Sequence, residues 1–112
     1  MFFECAIQQE IEQVSRLLVD VRRSEEPYLV FAALTKQWAQ LVMVALVGQR
    51  SNELTIHPFV LGKLRAQASH IKQADTRAIT QLAADLDSRM KVSEVTPWQA
   101  VDRFVMAVTL RK

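Results

Sequence analysis

Turn-forming residues are scarce in this chain. Glycine stands only at positions 48 and 62, and proline only at 27, 58 and 97. A sandwich or barrel of short strands needs far more tight turns than that, so an all-β fold is excluded and long helices with brief connections fit. The two glycines also lie too far apart to let a backbone loop approach a phosphate, which removes both the P-loop and the dinucleotide fingerprint. Cysteine occurs once, at Cys5, so no internal disulfide can form, a usage that suits a reducing compartment such as the cytoplasm. A closed zinc site takes about four Cys or His ligands in paired short spacings, whereas Cys5, His57 and His70 stand apart in the sequence. No cofactor or metal is expected. Neither charge sign dominates: a net charge of +2 sets no preference for nucleic acid, which demands basic residues gathered on one face. The N-terminus lacks the basic start and unbroken apolar core of a signal peptide.

What is present is globular composition. Half the residues are apolar and 23% charged, which argues against a disordered tail. At 112 residues one domain can bury roughly two thirds of its unfolded surface. The chain is therefore expected to be one helical domain over residues 1–112.

Ile7, Ile11, Val14, Leu17, Leu18 and Val21 recur at steps of three and four opposite Gln8, Glu12, Arg16 and Asp20, predicting a first helix over Phe3–Arg23. Ser24-Glu25-Glu26-Pro27 then supplies a break, acidic groups for the positive end of a helix dipole, and a proline suited to a first turn. The second helix, Tyr28 to Val47, is the most apolar segment and is expected to be the central, most enclosed one, closed by a left-handed cap at Gly48. Its length would reach across a bilayer. Lys36, Gln37 and Gln40 near its middle argue against that, because a central Lys costs about 2.5 to 3.5 kcal/mol on insertion scales. No membrane partner is expected.

Residues Gln49 to Thr55 have loop composition. Pro58 opens a third helix marked by Phe59, Val60, Leu64, Ala68 and Ile71. A polar gap at Gln73–Asp75 precedes a fourth, with Asp75 as its candidate cap and a stripe of Ile79, Leu82, Ala83, Leu86 and Met90. Thr96-Pro97-Trp98-Gln99 has the capping-box pattern and starts a fifth, carried on by Val101, Phe104, Val105 and Val108. The expected fold is all-α, a compact bundle of about five helices.

Catalytic groupings are hard to assemble from these residues. Cys5 with His57 or His70 would make a thiol and base, but no local signature accompanies them. His57 precedes Pro58, which pushes it toward extended backbone and a helix-entry role. Asp85 and Asp87 are two apart and point to different helix faces. Trp38, Trp98, Phe31, Phe59 and Phe104 fall on or beside apolar stripes, where core packing accounts for them. A domain this small cannot hide every large side chain, and any aromatic left outside would mark a partner surface. Arg50, Lys63, Arg65, Lys72 and Arg77 make the middle of the chain its most basic part. Two short helices there could imitate a helix-turn-helix, although a solvated face with snorkelling stems explains the same charges.

Several segments share an order and spacing: Glu26-Pro27 opening a helix; His57-Pro58-Phe59-Val60 followed by Lys63-Leu64; Asp87 with Met90-Lys91; and the closing apolar helix from Pro97 to Leu110. In that order and at those distances they resemble the C-terminal collar domain of the delta subunit of the bacterial DNA polymerase III clamp loader. The likeness covers roughly Val14 to Leu110, and the Gly48–His57 connection is shorter than is typical of that family. The resemblance implies a structural motif of Pro27, His57, Pro58, Phe59, Asp87, Lys91, Thr96 and Pro97, with Trp38, Trp98 and Phe104 in the core or at an interface. It implies a non-catalytic assembly module, one part of a longer subunit, with no ATP site of its own. The implied partners are the ATPase and delta-prime-type loader subunits, met through the collar. Sliding clamp and DNA would be reached only through other domains, and the domain by itself could self-associate. The alternative reading is a small helical DNA-binding regulator, whose duplex binding would weaken steeply with salt.

Overall fold

The computed structural model describes residues 2–47 and 57–111. They form six α-helices: α1 (Phe2–Ile7), α2 (Ile11–Ser24), α3 (Pro27–Val47), α4 (Pro58–Ala68), α5 (Gln73–Lys91) and α6 (Pro97–Thr109). No strand occurs among the described residues, so the architecture is an all-α bundle. The expected cap at Gly48, the loop Gln49–Thr55 and Arg50 lie outside the described residues.

Three helices begin by one local device. Each has proline as its first residue, where the absent N–H forfeits no intrahelical bond, and each is preceded by a side chain that accepts a first-turn amide. Glu26 Oε2 accepts from the Leu29 N–H at 3.1 Å, His57 Nδ1 from Phe59 at 3.1 Å, and Thr96 Oγ1 from Gln99 at 3.2 Å. Gln99 in turn accepts the Thr96 N–H at 2.9 Å, which completes the capping box. By contrast, Glu10 and Lys72, the residues preceding α2 and α5, supply no side-chain cap. Asp75 is thus not the cap expected for α5. That helix begins at Gln73, inside the expected polar gap, and Asp75 lies in its first turn, where its charge still suits the dipole.

The expected first helix is two helices. Gln9 adopts φ 61°, and its N–H donates to Ala6 O (3.1 Å) while the Glu10 N–H donates to Cys5 O (3.0 Å). This pair of bonds is the Schellman ending, which needs a left-handed residue and most often takes glycine. The same pair closes α5, with Ser93 at φ 60° bonded to Met90 O and Glu94 to Arg89 O. Gln9 is held in place from outside: its Nε2 donates to Thr109 O at 3.1 Å and to Arg111 O. The break lets α1 turn back and pack against both α2 and α6.

The centre of the bundle is α6. It packs against α1, α2, α3 and α5, and it buries Ala100, Val101, Phe104, Val105, Val108 and Thr109. Phe104, 1% exposed, meets Phe31 and Trp38 of α3 edge to face, with centroids 6.2 and 6.3 Å apart. Trp38 Nε1 donates to Thr80 Oγ1 at 3.0 Å and so links α3 to α5. The expectation that the second helix is the most enclosed is therefore corrected: α3 turns only Phe31, Leu34, Trp38, Leu41 and Val44 into the core. It is long and apolar enough by length and composition to cross a bilayer, but those five side chains seat it in the bundle. The main partner of α4 is α3.

Arg111 closes the fold. Its guanidinium donates to the carbonyls of Val108 (2.6 Å), Ala6 (3.3 Å), Ile7 and His70 (3.4 Å), joining the ends of α1 and α6 to the turn after α4. Burial pushes its pKa down from the ordinary arginine value, an effect opposed by the charge of Asp75.

Candidate functional site

The residues singled out in the sequence do not converge on one place. Pro27, Pro58 and Pro97 start helices, and His57 and Thr96 cap two of them. Asp87 and Lys91 form an i,i+4 ion pair on α5, 2.9 Å apart, and Asp85 and Arg89 form another at 3.1 Å on a different face of the helix. Each such pair is worth only about 0.3–0.5 kcal/mol. Trp38 and Phe104 are buried. Trp98 is half-buried and lies under the Arg22 guanidinium, 5.6 Å from its centroid, while Arg22 also pairs with Asp102. That cluster joins α2 to α6.

No catalytic arrangement forms from these groups. Cys5 is buried in α1. His57 is exposed and spends its Nδ1 on the Phe59 amide. Among the described residues no three His, Cys, Asp or Glu side chains gather closely enough to hold a metal ion. The basic stretch around α4 and α5 does not supply a helix-turn-helix either, because α4 leans on α3 rather than bracing α5.

The distinctive surface lies on α3. At 3.6 residues per turn, Tyr28, Ala32, Ala39, Met43 and Leu46 share an arc of roughly 60°, opposite the side chains that enter the core. Tyr28 is 55%, Met43 49% and Leu46 71% exposed, and both alanines are exposed as well. The stripe is about 27 Å long at a 1.5 Å rise per residue. Leu29, 68% exposed, borders it and forms one lip of a groove of about 400 Å³ between α3 and the α1–α2 arm, lined also by Phe3, Val21, Val30 and Leu34. On α4, Phe59 is exposed too, with Lys63 Nζ 5.4 Å from its ring centroid. Sequence reasoning placed α3's apolar side chains inside. The signal that could have separated the two faces was their angular spread: apolar residues surround the whole helix, more than a neighbouring bundle of this size can cover.

Side chains of this kind bind and do not react. An apolar strip with small residues near its middle suits close approach of another helix. A family model described as DNA polymerase III delta subunit, C-terminal domain, matches residues 2–108. No curated protein and no solved structure matches the chain.

Proposed function

Because the chain belongs to the family formed by the C-terminal domains of DNA polymerase III delta subunits, we propose that it is a non-catalytic assembly module of the clamp loader. It packs with the collar domains of the ATPase and delta-prime-type subunits and so helps to hold together the complex that loads the sliding clamp during DNA replication. The activity is binding, in the cytoplasm, with clamp and DNA engaged by other parts of the loader.

The observation that carries this reading is the exposed apolar face of α3. Tyr28 and Leu29 at one end and Met43 and Leu46 at the other, with exposed Ala32 and Ala39 between them, give α3 an apolar outer face, and contiguous apolar surface marks sites of association. Helix-on-helix packing with an apolar centre and a polar rim then sets both affinity and neighbour order.

The test is the mass, by light scattering after size exclusion, of this chain mixed with the ATPase and delta-prime-type subunits of the same genome, with duplex DNA as a parallel partner. A stable complex with the subunits is expected. Duplex binding that falls steeply as salt rises, without subunit binding, would replace this reading with that of a DNA-binding regulator.

A further inference from the structure

Resting on the assembly reading, we infer that the outer face of α3 is the seat for a helix from a different subunit, and that this helix carries a carboxylate in the middle of an apolar stripe. The charge pattern of the face selects that occupant. Lys36 lies beside the apolar arc about halfway between Tyr28 and Leu46, is exposed, and makes no ion pair among the described residues. Around it are Ala32, Ala33, Ala39 and Gln40, so an approaching backbone meets small side chains and one cation. An apolar helix laid here desolvates the ammonium group, and an unpaired buried charge is strongly disfavoured. An Asp or Glu facing Lys36 removes that penalty and fixes the register of the two helices.

The same feature argues against a second copy of this chain. Paired antiparallel about a two-fold axis through the centre of the stripe, the helices would set Lys36 beside the partner's Lys36, a like-charge contact that opposes association. A heterologous helix meets no such clash. The groove beside the N-terminal half of α3, under Leu29 and Val30, offers that helix or its flanking residue a place for one large apolar side chain.

Leu46→Asp, Lys36→Glu and Arg77→Glu are to be compared with the unaltered chain for binding to the mixed ATPase and delta-prime-type subunits. Arg77 is exposed on a different helix, α5, and serves as the control. All three positions are exposed, and helix content and melting temperature check that each variant is folded. Leu46→Asp should abolish the complex. Lys36→Glu should weaken it by about tenfold or more at low salt, and the loss should shrink as salt screens the new repulsion. Arg77→Glu should change nothing. If the unaltered chain binds and the Leu46 and Lys36 variants bind equally well, the seat lies elsewhere while the assembly reading stands. If the unaltered chain forms no complex, both fall. A chain that alone has twice its mass, and loses it with Leu46→Asp, has a second copy as occupant. Sedimentation of the chain with phosphatidylglycerol vesicles, lost in Leu46→Asp, would replace the protein partner by a lipid surface.

Discussion

Helices α3 and α6 are both rich in apolar residues, yet they have opposite fates. The shorter α6 touches four other helices and hides six of its thirteen residues, whereas α3, the more apolar by composition, hides five of twenty-one. Composition measures how much a helix could bury, and position decides how much it does. A helix at the centre of a small bundle is covered from several sides. One at the periphery is covered on one side only, and if its other side is also apolar, that side is available to something else. The difference separates apolar residues that hold the fold from apolar residues that wait for a neighbour.

The sharpest way to probe this contrast is at Phe104, where two aromatic contacts from α3 converge. Phe104→Ala should lower unfolding stability by about 3–5 kcal/mol, since the cavity lies where the surrounding helices cannot collapse. Urea or thermal unfolding reads this directly, and a loss under about 1 kcal/mol would mean that α6 is not the centre of the core. A smaller effect is expected at the start of the same helix. Thr96→Ala removes the side-chain acceptor for the Gln99 amide and should cost about 1 kcal/mol, seen as a shift of the denaturation midpoint with an unchanged slope. The smallest belongs to the outer face of α3. Leu46→Ser should alter stability by no more than roughly 0.5 kcal/mol while reducing assembly with the other loader subunits. A large loss of stability at Leu46 would break the comparison by showing that the outer face is covered within the chain itself.

The legible parts of this molecule are those decided locally. Pro27, Pro58 and Pro97 mark helix starts whatever the rest of the chain does, because the constraint is in the proline ring and the first-turn amides. The stripe of Val101, Phe104, Val105 and Val108 repeats at helical spacing and lies in the core. The break at Gln9 was not legible, since neither glycine nor proline announces it. Its left-handed backbone is held by contacts to Thr109 and Arg111, a hundred residues away. The exposure of Ile11 and Phe59 escaped for a related reason: periodicity says which residues share a face and is silent on whether another helix covers it. As for the candidate surface, no compact motif pointed to it. The family likeness rests on the order and spacing of segments that individually are ordinary helix grammar, and the face of α3 emerges only once the other five helices have taken their places.

Arg111 bears on how α1 and α6 are held. Its guanidinium grips carbonyls at the end of α1 and at the end of α6 together, so the first and last helices are fastened to each other rather than left as independent tails. Terminal segments that are not tied down fray at almost no cost. Here α1 and the end of α6 are held by the same small set of hydrogen bonds. The two helices farthest apart in sequence therefore share one fastening, and what loosens α1 also loosens the end of α6.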